Sequence, residues 1–227
     1  MRVDAPTFRT GVKWHGALIS WYTFAMIITY HGGECLKFSQ GDTTLVLNPH
    51  DKKSSFGGVR FGANVVAVSL HHPDFNATES ITGNPFVIDT PGEYEVGEVG
   101  VRGYGILVNY DGEPRYNTIY QIHFEGINIV HLGALQDVDI DPKILGEFGD
   151  IDILILPIGG GDVLQVPAAA KLATKLEAHA VIPVHYDKAA LTAFLKELDS
   201  AAQPLEKFTI KKKDLEALQG EVVVLSA

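Results

Sequence analysis

Polar residues able to bind metal or move protons stand where apolar runs end. Val65–Ser69 leads into Leu70-His71-His72-Pro73-Asp74-Phe75-Asn76, Ile127–Val130 ends in His131-Leu132-Gly133, and Val181–Val184 ends in His185-Tyr186-Asp187. Three separate strands thus deliver a histidine at the carboxyl end, where α/β folds gather ligands. Imidazoles and a carboxylate converging there are what a borderline-soft divalent ion binds. One such histidine, taken alone, reads more readily as a hydrogen-bonded structural residue.

Other polar features carry less chemistry. Gly159-Gly160-Gly161 lacks the Lys-Ser/Thr of a phosphate-binding loop and reads as a tight strand-to-helix turn. Glu93 and Glu95 alternate on a strand and share one face, which reads as solvated. Cys35 has no neighbouring base in the sequence and reads as a small core residue. No Gly-x-Ser-x-Gly nucleophile motif is present.

The elements that must position these residues follow from periodicity. Ile27–Tyr30, Thr43–Leu47, Val65–Ser69, Phe86–Ile88, Glu93–Val96, Val99–Arg102, Ile106–Asn109, Thr118–His123 and Ile127–His131 are β-branched runs broken by turn residues. Tyr110-Asp111-Gly112-Glu113 and Phe124-Glu125-Gly126 read as hairpin connections. The second half differs. Ile151–Leu156 and Val181–Val184 are continuous apolar runs, as in strands buried on both faces, and Glu221–Leu225 closes the chain as a strand. Pro167–Ala178 and Lys188–Leu198 carry helical stripes. Meanders followed by β-α-β-α units predict two sheets flanked by helices.

Composition excludes several functions. The 227-residue chain is 46% hydrophobic and 20% charged, ordinary for a globular protein. Its formal charge of −10, with no basic stripe, speaks against a nucleic-acid partner. Lys211, Lys212 and Lys213 form the only run of positive charge and read as a solvated helix face. The single cysteine allows no internal disulfide and no Cys-rich zinc site, which suits a reducing, cytoplasmic setting. Ala17 to Ile28 is apolar but shorter than the roughly 20 residues that span a bilayer, and no small-residue cleavage site follows it. No membrane partner is expected.

As an ordered set, the motifs resemble the metallo-β-lactamase superfamily, specifically its small branch of Zn-dependent, lactonase-like hydrolases. The set runs through Ile27-Ile28-Thr29-Tyr30 with Gly32 and Cys35, Asn48-Pro49, Ser69 to Asn76, and Pro91-Gly92-Glu93-Tyr94-Glu95-Val96. It continues with Asn117-Thr118-Ile119-Tyr120, His131-Leu132-Gly133, Asp152 to Gly160, and Ile182-Pro183-Val184-His185-Tyr186, covering about residues 26–225. The resemblance implies an α/β fold, a four-layer αββα sandwich over residues 26–227, with residues 1–25 as a peripheral extension.

It also implies a ligand set. The family's His-x-His-x-Asp-His signature falls on Leu70-His71-His72-Pro73-Asp74-Phe75, so His72 and Asp74 match while Leu70 and Phe75 replace two histidines. The two later ligand histidines match His131 and His185, whereas the bridging carboxylate is Ala134. The early Gly-His is Gly32-Gly33, and the Asp-Pro turn is Asn48-Pro49. The metal ligands implied are His72, Asp74, His131 and His185, with Asp74 also orienting a catalytic water. His71 is expected to point away, and His50 and Asp51 lie near the site by the same analogy but read on their own as loop residues.

Two zinc ions about 4 Å apart repel by roughly 16 kcal/mol at an effective dielectric near 20. A bridging anion and two carboxylates normally offset this, and only Asp74 remains. At most one zinc ion per chain is therefore expected. Three functions stay open. The first is a hydrolase in which one ion polarises an ester or lactone carbonyl and acidifies water. The second is a catalytically inactive member that binds a small molecule or partner. The third is a scaffold whose histidines are structural.

The first matching strand begins at Met26. Deleting residues 1–25 is therefore expected to leave the thermal melt nearly unchanged. A large loss would show Trp14, Trp21 and Phe24 packing on the domain.

Overall fold

Short strands and glycine turns build two sheets over residues 25–227, which the computed structural model describes. The expected 1–25 extension lies outside these residues except for Ala25. One sheet contains β1 (Met26–Tyr30), β2 (Leu36–Gln40), β3 (Thr43–Leu47), β4 (Val65–Ala67), β5 (Phe86–Ile88) and β12 (Phe208–Ile210), ordered β12-β1-β2-β3-β4-β5. The other contains β6 (Gly92–Val96), β7 (Val99–Tyr110), β8 (Glu113–Phe124), β9 (Ile127–His131), β10 (Ile153–Pro157), β11 (Ala180–Val184) and β13 (Glu221–Val222). Its order is β13-β11-β10-β9-β8-β7-β6, and β9, β10, β11 and β13 run parallel. The helices are α1 (Pro142–Glu147), α2 (Val166–Leu176), α3 (Lys188–Glu197) and α4 (Lys212–Leu215). No helix among the described residues is long and apolar enough to cross a membrane.

The period-two alternation of strands sorts the core. Ile127 and Ile129 of β9, Ile153 and Ile155 of β10, and Ile182 and Val184 of β11 face Ile28, Phe38, Leu45 and Val65 between the sheets. Their neighbours Val130, Leu154, Leu156 and Val181 pack instead on Ala169, Leu172 and Ala173 of α2 and Phe194 of α3. Burial on both faces explains why these strands read as unbroken apolar runs. Asp187 caps α3, its side chain accepting the Ala190 N–H at 2.8 Å. The outer face of the first sheet is covered differently. Val46, Val66 and Val68 pack with Ala63, Ile81, Val59 and Phe61, and a single 3-10 turn at Thr78–Ser80 adds to this layer. Among the described residues this fourth layer is therefore mainly loop.

Several expectations change in detail. The two strands expected at Val99–Arg102 and Ile106–Asn109 are one twelve-residue strand, β7, paired along its length with β8. Gly103 and Gly105 sit inside this ladder because a Cβ at Gly103 would meet Thr118 Cγ2 at 2.9 Å, and one at Gly105 would meet Pro91 Cγ at 2.9 Å. The residues β2, α1 and β12 span were not anticipated as elements. Both hairpin turns form as expected, with Asp111 and Gly112 at φ 54° and 72° and Glu125 and Gly126 at φ 51° and 77°.

The lysine run is not uniformly solvated. Lys212 Nζ donates to both oxygens of Asp152 at 2.6 and 2.7 Å, and Asp152 is fully buried at the entry to β10. The same carboxylate accepts the Asn128 N–H at 2.7 Å. Lys212→Ala leaves this carboxylate without its cation and is expected to cost about 2 kcal/mol, less than a fully buried pair because the ammonium is partly exposed. A lower urea midpoint with an unchanged slope would report it. An unchanged midpoint would show that water replaces the lysine.

Candidate functional site

Strand ends from both sheets meet around one carboxylate. His131 ends β9 on the same face as Ile127 and Ile129, so its ring lies between the sheets, 1% exposed. His185 follows β11 in the left-handed region, φ 52°, with its N–H donating to Gly33 O at 2.7 Å. Between the two imidazoles lies Glu34, from the β1–β2 turn, with no exposed surface. Its Oε2 is 3.2 Å from His131 Nε2, and its Oε1 is 3.3 Å from His185 Nδ1. The second contact is an ion-pair approach rather than an aligned hydrogen bond. Burial opposes ionisation of Glu34, but the contacts with His131 and His185 outweigh it and hold the carboxyl below its ordinary value.

Asparagines lock the surrounding backbone. Asn48, at the end of β3 with φ 45°, accepts the Ser69 N–H through Oδ1 at 2.8 Å. That fixes its amide, whose Nδ2 donates to Ser69 Oγ at 3.0 Å and Glu34 Oε2 at 3.3 Å. Asn117 of β8 accepts the Ala134 N–H at 2.9 Å and donates to Leu132 O at 3.0 Å, holding the turn after His131. Gly133 must lack a side chain there, because a Cβ would meet Asn117 Oδ1 at 2.2 Å. His50 has both ring nitrogens on carbonyl oxygens, His31 O at 2.9 Å and Gly57 O, and so ties the loop after β3 to the β1–β2 turn.

His72 and Asp74 form a separate pair in the loop after β4, His72 Nδ1 lying 3.4 Å from Asp74 Oδ2. Tyr110 donates its hydroxyl to Asp74 Oδ2 at 2.8 Å, and burial together with Asp74 pushes that hydroxyl's pKa up. Tyr110 stands beside both pairs, its ring 4.9 Å from His72 and 6.0 Å from His185, and Phe75 lies 6.0 Å from His185. His71 points outward, as expected, with Nε2 3.1 Å from Asp89 O.

The structure thus brings together His131 with His185, and His72 with Asp74. Among the described residues it places no group of three or more His, Cys, Asp or Glu side chains to hold one metal ion. Leu70, Phe75 and Ala134 are fully buried in one apolar cluster with Val108, Tyr110 and Val163. Phe56 fills the space beside Gly33, where a Cβ would meet its Cδ2 at 2.8 Å, and packs edge-on to His185 at 5.3 Å. The residues present do not bring His72, Asp74, His131 and His185 together as the ligands of the one ion expected from the resemblance. A single ion could enter between His131 and His185 only by taking over the contacts of Glu34.

Glu34 and Tyr110 escaped the sequence reading. The signal for Glu34 was a lone charge in Gly32-Gly33-Glu34-Cys35-Leu36, between strands with buried faces. Tyr110 stood at a turn, without any chemical signature of its own.

Comparison with known proteins points one way. A model of the beta-lactamase superfamily domain matches residues 27–185. A UPF0173 metal-dependent hydrolase of Anoxybacillus flavithermus is 40% identical over 162 residues, 69% of this chain and 63% of that protein. One from Natranaerobius thermophilus is 25% identical over 193 residues, 71% of this chain and 84% of that protein. A solved structure from Thermotoga maritima, assigned as a Zn-dependent hydrolase of the metallo-β-lactamase superfamily, aligns with TM-score 0.72 and 31% identity, over 88% of this chain and 98% of that one. A metallo hydrolase of Ignicoccus hospitalis shares the fold at TM-score 0.61 and 15% identity, over 82% of this chain and 99% of that one.

A carboxyl held below its ordinary value stabilises the fold above the unfolded glutamate range, and that contribution is lost as pH falls through the folded value. In melts between about pH 3 and pH 6, the parent should lose its advantage over Glu34→Gln as the solution is acidified. Parallel pH profiles would show that Glu34 is uncharged in the fold.

Proposed function

The chain belongs to the beta-lactamase superfamily, and from that premise we propose that it keeps the family's strand-end site to bind a small polar molecule, without metal-driven hydrolysis. The observation carrying this reading is the buried cluster of Leu70, Phe75 and Ala134, which puts apolar atoms at three positions the family fills with metal ligands. What remains open to solvent is polar. The side chains of His72, Asp74 and His185 are each 15% exposed, and the Tyr110 ring lies 4.9 Å from His72 and 6.0 Å from His185, so their hydrogen-bond donors and acceptors flank one aromatic ring. The net charge of −10 supports a small-molecule partner over nucleic acid. A cytoplasmic location belongs to the same proposal, supported by a single cysteine that is buried and free.

A second reading is hydrolysis of an ester or lactone with at most one zinc ion. It is favoured by the spacing at Glu34. Separations of 3.2 and 3.3 Å resemble those between neighbouring ligands of one ion bound at about 2.0–2.2 Å.

Elemental analysis of protein purified without added metal, beside a panel of lactones and esters, separates the readings. The binding reading expects no stoichiometric metal and no turnover. One zinc per chain with turnover would replace it by the second reading. Leu70→His, Phe75→His and Ala134→Asp together are expected to cost stability, about 1–3 kcal/mol per buried polar group, and to regain it with zinc.

A further inference from the structure

A buried carboxylate lies where the resemblance would put a cation, between two of its ligand histidines. We infer that Glu34 has taken over, from within the chain, the positioning role that the family gives its metal: its carboxylate holds His131 and His185 and occupies the space between them. This inference rests on the metal-free part of the reading above and not on whether a small molecule binds.

Four observations support it. Each oxygen of Glu34 faces a different histidine, so the carboxylate bridges the two rings rather than pairing with one. Glu34 has no exposed surface, and a carboxylate without water is retained only where charge and donors answer it. Asn48 turns an N–H toward the same oxygen, 3.3 Å from Oε2 and 3.5 Å from His131 Nε2. An amide N–H answers an anion and repels a cation, and this amide cannot flip without losing the Ser69 N–H from its Oδ1. The turn is also built to deliver the side chain. Gly32 and Gly33 adopt φ 92° and 56°, and the Gly33 carbonyl accepts both the His185 N–H at 2.7 Å and the Tyr30 hydroxyl at 2.9 Å. The same turn therefore places Glu34 and anchors the backbone of one histidine it holds.

The test uses the full chain stripped with a chelator, with zinc chloride as the probe and thermal melts as the readout. The parent should melt at the same temperature with and without zinc and retain none after gel filtration. Glu34→Gln and Glu34→Ala should each lower the melting temperature by roughly 5–10 °C without zinc. If Glu34→Ala does not fold, the isosteric glutamine variant decides alone. The loss in Glu34→Gln combined with His185→Ala should fall short of the sum of the single losses, which a merely space-filling Glu34 would not produce. A parent that is raised by zinc and loses that rise in Glu34→Ala would make Glu34 a metal ligand and overturn the inference. A variant as stable as the parent, or additive losses, would also overturn it. Zinc-free turnover of esters or lactones would instead refute the binding function and leave the role of Glu34 intact.

Discussion

A carboxylate taken wholly out of water destabilises a fold by several kcal/mol unless donors and opposite charge surround it. In this chain the surrounding groups come from three separate strand ends. Glu34 leaves the turn after β1, Asn48 ends β3, His131 ends β9 and His185 follows β11. Two of these belong to the first sheet and two to the second, so one polar cluster sets how the sheets meet at this edge. The apolar interface below supplies most of the burial, but it is non-directional. The cluster is directional, and it obliges Asn48 and His185 to occupy positive φ, a conformation most side chains avoid.

Much of the architecture was legible because it follows from periodicity. The runs at Ile151–Leu156 and Val181–Val184 read as strands covered on both sides, and the hairpins announced themselves through Asp111-Gly112 and Glu125-Gly126. Legibility failed where tertiary contact overrides local preference. Gly103 and Gly105 read as a break but lie inside β7, since Pro91 and Thr118 leave no room for side chains there. Lys212 read as solvent-facing because its partner, Asp152, is sixty residues away in sequence.

The site shows the same division. The strand-end placement of His72, Asp74, His131 and His185 was foreseeable, since where a strand stops is a local property. Their grouping was not. Whether four side chains share one point depends on what else occupies the space, and here Phe75, Tyr110 and Glu34 occupy it. Glu34 carried only the faint signal of a charge beside two glycines. Ordered motifs identified the family, whereas the chemistry at its centre depended on residues outside those motifs.

The pairing of β1 with β12 has a temporal side. Met26 lies opposite Ile210, so the first strand of the sheet meets its outer neighbour about 180 residues later. A ribosome adding roughly 5–20 residues per second needs about 10–40 s to deliver that partner. Throughout this interval the backbone donors and acceptors along one side of β1 have no strand to pair with, a state that invites association between nascent chains. The early strands must therefore wait on, or be shielded until, the arrival of a three-residue segment near the carboxyl end. Premature termination a few dozen codons early would leave most of the core sequence in place and still release a chain with an open, adhesive border.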